Sequence, residues 1–139
     1  MRLLHSAART RARFDDPNLV SCAGLVPVMG LAQSCGLHGL VAKLVRIGTS
    51  VGSNPAGKIT AIVAGMVTGA DSNDDLDIIR HGGMPALFGG CYAPSTLGSF
   101  LREFTFGHTR QLGAAARRFL VNLAAQTPLR FSQQDRVGQ

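Results

Sequence analysis

Apolar residues recur along this chain at the three- and four-residue spacing that is typical of amphipathic helices. Between positions 25 and 35 they share one helical face, with Pro27 suited to the first turn and Gly36 to the end. A second short repeat follows at once, so the break at Gly36 predicts a helical hairpin. Strand-like alternation is almost absent, and only residues 18–23 are a candidate for a short strand.

The strongest helical signal follows Asn54-Pro55, which combine an N-cap residue with a proline suited to the first helical position. Alanines and glycines occupy much of one face, so we expect this central helix to pack on several sides. The opposite face carries six apolar side chains, Ile59, Ile62, Val63, Met66, Val67 and Ala70. The nearly apolar run covers the twelve residues 59–70. This is well short of the roughly 20 residues that span a bilayer, so the run predicts a buried helix.

Three further helices are predicted towards the C-terminus. The first begins in the acidic run 71–75 and ends at Gly82-Gly83, with its acids and Arg80 placed favourably for the helix dipole. The second covers residues 96–104 with Ser95 as its N-cap, and the third runs from about 108 to 125.

These patterns predict an all-α fold, a compact bundle of about six helices. Residues 19–127 form the helical domain in this interpretation, and residues 1–18 form a flexible basic arm that ends in a turn. Residues 128–139 show neither helical nor strand periodicity and are expected to be an irregular tail. The arginines near the N-terminus precede no apolar stretch of signal-peptide length, so we expect a cytoplasmic protein with no membrane partner.

The net charge of +6 is unevenly distributed along the chain. Residues 1–14 carry +4, residues 15–78 carry −3 and residues 79–127 carry +4. Two basic ends around an acidic middle favour a polyanionic partner such as nucleic acid, although ordinary solubility explains the same layout.

Several other kinds of chemistry are disfavoured by spacing. The glycine pairs lack a following Gly-Lys-Ser/Thr, and the acids at 71–77 lack the calcium-loop pattern. Four scattered histidines leave no nucleophile beside a base, so no catalytic site and no cofactor are predicted. Three cysteines without Cys-x-x-Cys spacing are expected to be buried thiols, and they are Cys22, Cys35 and Cys91.

The segment 94–102 is the main candidate site. Ser95 and Thr96 place hydroxyl groups and free amides in the first turn of a helix, and Arg102 follows one to two turns later. A helix N-terminus and an arginine together can hold a phosphate group. A capped amphipathic helix with a solvated arginine explains the same pattern, and this alternative stays open.

The next helix extends this basic region. Arg110 and Arg117 are seven residues apart and therefore share a helical face, with Arg118 beside them. Two consecutive helices with a short link predict a reader of the helix-turn-helix kind over residues 95–125. The predicted DNA contacts also include three arginines of the N-terminal arm, Arg9, Arg11 and Arg13.

Six motifs between residues 14 and 108 carry a family resemblance that extends over about residues 5–128. They are FDDPNLVS at 14–21 with GLVPVM at 24–29, AGMVTGADS at 64–72, DDLD at 74–77, RHGGM at 80–84, APSTLG at 93–98 and FTFGH at 104–108. In these motifs the chain resembles the N-terminal region of bacterial insertion-sequence transposases of the DDE group 1 type.

The resemblance implies DNA transposition as the family activity. Members continue into an RNase H-like core in which three acidic residues hold two divalent metal ions, such as Mg²⁺, for strand cleavage and joining. Asp135 lies in a tail that does not resemble the family's first catalytic strand. We therefore expect a transposase fragment that lacks the acidic triad and is not an enzyme as it stands.

Three functional hypotheses follow from the sequence. In the first, the helical region binds the DNA ends of the element, as the family's N-terminal region is expected to do. In the second, the fragment pairs with itself or with full-length transposase and inhibits it through apolar surface left uncovered. In the third, the fragment is a relic without function.

Overall fold

A computed structural model of the chain describes residues 16–88 and 90–127. Within these residues seven helices and no strands are present, so the predicted all-α bundle is confirmed. A 3₁₀ helix, Asp74–Arg80, lies between the third and fourth of the α-helices. The α-helices are α1 (Leu25–Ser34), α2 (Leu37–Leu44), α3 (Pro55–Val67), α4 (Met84–Leu87), α5 (Pro94–Arg102) and α6 (Phe106–Gln126). The predicted tail and most of the predicted basic arm lie outside the described residues.

The central position predicted for α3 is confirmed, because this helix packs against α1, α2, α5 and the 3₁₀ helix. Asn54 caps it by accepting a hydrogen bond from the Gly57 N–H at 3.1 Å. Two apolar clusters flank α3. The first consists of Val41, Val45, Ala56, Ile59, Phe100 and Ala115, and the second of Leu25, Met29, Ala64, Ile79 and Met84.

The buried face of α3 is not the one that the apolar pattern predicted near its C-terminal end. Met66 is 64% exposed and Val67 is 49% exposed, whereas Ala64 and Gly65 are buried. The 3₁₀ helix approaches this small-residue face so closely that a Cβ atom at Gly65 would collide with Leu76. Small side chains therefore define the packed face here, because they let the backbones come together.

The predicted hairpin of α1 and α2 is wrong, because the second helix continues from the first with a bend of only 53°. Cys35 and Gly36 still donate their N–H groups to Leu31 and Gln33, so the chain keeps turning helically through the break. Gly36 alone in this break adopts a left-handed conformation, with φ of 83°, and one such residue bends the path of the chain without reversing it.

In the described part of the chain no single helix is long and apolar enough to cross a bilayer, although α1 and α2 together, across their bend, reach that length and composition.

Three local expectations also need correction. Residues 18–23 form turns rather than a strand, with the Leu19 N–H donating to the Asp16 carbonyl at 3.0 Å. Residues 74–80 form a 3₁₀ helix, whose three-residue period places Leu76 and Ile79 on one buried side. Helix α5 begins at Pro94, so Ser95 lies inside the first turn instead of capping it.

The cysteines are less uniformly buried than expected. Cys35 is 1% exposed, whereas Cys22 and Cys91 are partly exposed, and none of the three forms a disulfide. The Cys91 thiol donates to the Ile79 carbonyl at 3.1 Å. Its partial burial raises the pKa of this thiol and favours the protonated form.

Candidate nucleic-acid interface

Ser95 and Thr96, two of the predicted phosphate contacts, line a surface cleft beside the N-terminus of α5. The cleft has a volume of about 490 Å³. Five of its lining residues carry hydroxyl groups on aliphatic side chains and one is a lysine. Its lining is formed by Ser50, Val51, Ser53, Lys58, Tyr92, Ser95, Thr96 and Ser99.

The first turn of α5 offers fewer free amides than the sequence predicted. Pro94 has no N–H, and the N–H groups of Thr96 and Leu97 both donate to the Ala93 carbonyl, at 3.0 and 3.1 Å. The Ser95 N–H has no such backbone acceptor in the described part of the chain. One amide, two hydroxyls and the positive end of the helix dipole therefore remain for a ligand at this turn.

Arg102 lies at the opposite end of α5 and is exposed. Its Nη2 donates to the Ser99 hydroxyl at 3.2 Å, and Ser99 also lines the cleft. Arg102 is thus connected to the cleft through one hydrogen bond without lining it.

Arg110 and Arg117 lie on the outer face of α6 and do not line the cleft. The Arg110 guanidinium lies 6.0 Å from the centre of the Phe106 ring. α6 packs mainly along α2, whereas α5 packs on α3 and the 3₁₀ helix. The predicted helix-turn-helix pairing of α5 with α6 is therefore not the main packing of either helix, although Phe100 of α5 and Ala115 of α6 share the first apolar cluster.

Polar contacts at both ends fix the pairing of α2 and α6. The Asn122 side chain donates to the Cys35 carbonyl at 2.9 Å, just before α2 begins. At the other end, the Arg46 N–H donates to Gln111 Oε1 at 3.0 Å. The early part of α6 thus faces the end of α2, so the two helices run antiparallel.

This antiparallel pair carries cations that the sequence analysis did not assign to the site. Lys43 lies in the last turn of α2 and Arg46 follows that helix, and both are exposed. Neither α2 nor α6 contains an acidic residue. We call Lys43, Arg46, Arg110, Arg117 and Arg118 the α2–α6 basic surface. The missing information was the packing of α2 on α6, which brings segments more than 60 residues apart together.

Of the six acidic residues in the described part of the chain, four lie on the 3₁₀ helix or just before it, within residues 71–77. There Arg80 pairs with Asp77 at 2.7 Å, and His81 Nε2 lies 3.6 Å from the same carboxylate. Asp75 accepts hydrogen bonds from the hydroxyl and the N–H of Ser72, which lowers the pKa of its carboxyl group. No group of three or more metal-ligating side chains comes together in residues 16–88 and 90–127.

Lys58 is the site residue that sequence reasoning missed. It is 4% exposed, and its Nζ donates to the Val51 carbonyl at 2.6 Å. The sequence singles Lys58 out in one way, because it is the only charged residue between Arg46 and Asp71. That isolation does not predict burial, because lysine side chains are rarely buried to this extent.

The arginines predicted for the N-terminal arm, Arg9, Arg11 and Arg13, lie outside the described residues.

Comparisons of the chain with protein-family models, with curated protein sequences and with solved structures gave no match.

Proposed function

We propose that this chain is a DNA-binding helical region of the insertion-sequence transposase type, and that the α2–α6 basic surface contacts the phosphate backbone. The observation that carries the proposal is charge segregation on packed helices. α6 is 21 residues long and has three arginines and no acid, and the neighbouring segment adds Lys43 on α2 and Arg46 just after it.

The chemistry of this surface suits a phosphate backbone. DNA presents regularly spaced negative charges, and each cation that neutralises a phosphate releases condensed counterions. Exposed arginines on a rigid helix keep their guanidinium groups accessible, and these groups donate several hydrogen bonds to phosphate oxygens. Neither α2 nor α6 contains an acidic residue, so no carboxylate within these helices repels a phosphate group. The motif resemblance to transposases supports the same partner, with Ser95, Thr96 and Arg102 as additional contacts.

Replacing both Arg110 and Arg117 with alanine tests this proposal. The double variant is expected to bind duplex DNA more weakly across all sequences, because phosphate contacts carry no base information. Its salt slope, the change of log K with log salt concentration, should fall by about 2 units, since each lost contact contributes roughly 0.9. Fluorescence anisotropy with a labelled duplex at several salt concentrations measures both quantities.

Arg80→Ala is the matched control for this experiment. Arg80 is exposed and cationic, but it pairs with Asp77 away from the α2–α6 basic surface. Its removal is expected to leave the salt slope within error of the parent protein. An unchanged salt slope in the Arg110/Arg117 variant would contradict the assignment of the α2–α6 basic surface as the DNA contact. An equal fall of the slope in that variant and in Arg80→Ala would contradict it as well.

A second candidate function is association with another copy of this chain or with a related transposase. The outer face of α6 also exposes three large apolar side chains, with Phe106 79%, Leu120 59% and Val121 70% exposed. Their helical spacing places them on the same side as Arg110 and Arg117. Clustered apolar side chains on an exposed face favour protein association.

Replacing Leu120 and Val121 with glutamine separates the two candidate functions. If α6 is an association surface, the parent protein forms dimers in light scattering and the double glutamine variant is monomeric. If α6 contacts only DNA, both proteins have the same mass and the same salt slope. A dimer that persists in the variant contradicts this placement of the interface.

A further inference from the structure

We propose that the cleft beside α5 is a phosphate-binding site and that Lys58 is its principal ligand. This site is separate from the α2–α6 basic surface, and the proposal does not depend on DNA binding. The group recognised is a phosphate oxyanion, supplied either by a nucleic-acid backbone or by a free phosphate compound.

Lys58 is a buried charged residue. A charged ammonium group loses much of its hydration when 96% of the residue's surface is covered, as the 4% exposure of Lys58 requires. Buried lysines are therefore normally paired with a carboxylate. Among residues 16–88 and 90–127, no carboxylate oxygen lies within 4 Å of Lys58 Nζ. The ion pairs in this part of the chain all involve the Asp77 carboxylate.

The contacts of Lys58 use only part of the hydrogen-bonding capacity of its ammonium group. Within the described residues its Nζ donates one hydrogen bond, to the Val51 carbonyl, whereas an ammonium group has three protons. The faces of Phe100 and Tyr92 lie 5.4 and 5.7 Å from Nζ, measured to the ring centres, and stabilise the cation without neutralising it. Donor capacity and one full positive charge therefore remain, and Lys58 lines the cleft.

The rest of the cleft complements an anion. Hydroxyl groups come from the loop before α3, through Ser50 and Ser53, and from α5, through Ser95, Thr96 and Ser99. The N-terminus of α5 adds the positive end of its dipole, and none of the described residues that line the cleft is acidic. Hydroxyl donors, a helix N-terminus and a lysine are a combination that suits a phosphate group.

The dimensions of the cleft agree with a small ligand. It is open to solvent rather than enclosed, and its volume of about 490 Å³ leaves room for a small group at the protein surface. The cleft therefore admits a phosphate group together with part of the molecule that carries it. Tyr92 offers an aromatic surface for that part, while its hydroxyl is held by Asn54 Nδ2 at 2.6 Å.

Titration with inorganic phosphate tests the proposal on the intact chain. Amide NMR signals of Val51, Ser95 and Thr96 are expected to shift and to saturate with sodium phosphate. Sodium chloride at matched ionic strength should not produce this saturation. Lys58→Met, which keeps the unbranched apolar stem of the side chain but removes the charge, should weaken phosphate binding about tenfold or more.

Two further variants keep the result interpretable if Lys58→Met fails to fold. The double variant Ser95→Ala and Thr96→Val changes only exposed residues and should also weaken phosphate binding. Arg80→Met removes an exposed cation that pairs with Asp77, away from the cleft and from the α2–α6 basic surface, and should leave phosphate binding unchanged. Absence of saturation in the parent protein, or equal affinity in the parent and the Ser95/Thr96 variant, overturns the proposal.

Competition then identifies the source of the phosphate and separates this proposal from DNA binding. If inorganic phosphate competes with a DNA duplex at constant ionic strength and Lys58→Met lowers duplex affinity, the cleft holds a backbone phosphate. If phosphate saturates the cleft without affecting the duplex, the cleft holds a free phosphate compound. Failure of DNA binding alone leaves the phosphate titration as an independent measurement.

Discussion

Phe100→Ala is expected to lower the free energy of unfolding by about 3–5 kcal/mol, the usual cost of removing a buried phenylalanine ring. Phe100 is fully buried in the first apolar cluster, with helices from both halves of the chain around it. Its ring also meets the Phe104 ring edge-on, with centres 5.2 Å apart, and lies beneath the Lys58 ammonium group. Truncation therefore opens a cavity and removes part of the stabilisation of a buried cation.

Urea unfolding followed by the far-ultraviolet circular dichroism of the helices measures this effect. Phe100→Leu is the matched control, because it keeps most of the apolar volume and should cost much less. A typical domain is stable by only about 5–15 kcal/mol, so Phe100→Ala brings the fold near its limit. A loss below about 1 kcal/mol at an unchanged urea dependence would contradict the central placement of Phe100.

Gly82→Ala is expected to lower the free energy of unfolding by about 2 kcal/mol or more, for two additive reasons. Gly82 has φ of +56°, in the left-handed region that disfavours residues with a Cβ atom. A Cβ atom there would also collide with the Leu19 carbonyl oxygen, which accepts the Gly83 N–H at 3.0 Å. The substitution should therefore displace the segment before α1 from the turn after the 3₁₀ helix.

Gly30→Ala provides the control for this substitution. Gly30 lies within α1 and has open space where its Cβ atom would be. Alanine is expected to stabilise the helix there by about 0.5–1 kcal/mol, because it restricts the unfolded chain. Equal effects of the two glycine substitutions in urea unfolding would contradict the close packing described at Gly82.

Local signals predicted the helices of this chain better than they predicted helix contacts. The capping of α3 by Asn54 was predictable because an N-cap bond involves residues only three apart. The close contact of Gly65 with Leu76 was not predictable, because it depends on how a later element crosses α3. For the same reason, the exposure of Met66 could not be derived from an apolar stripe alone.

The candidate sites show a similar division. Helical spacing predicted that Arg110 and Arg117 share a face, and both are exposed on α6. The contribution of Arg46 depends on a hydrogen bond to Gln111 across the α2–α6 pair. Lys58 joins Ser95 and Thr96 in one cleft only after α3 and α5 pack, so no local sequence pattern places them together.

The most direct test of the account is the salt dependence of duplex DNA binding by the unmodified chain. Anisotropy titrations between about 50 and 200 mM NaCl should give a linear fall of log K with log salt concentration. If the five cations of the α2–α6 basic surface all contact phosphates, the slope should be about −4 to −5. Saturable binding with that slope is the predicted result, and no binding at low salt, or a slope near zero, would contradict the account.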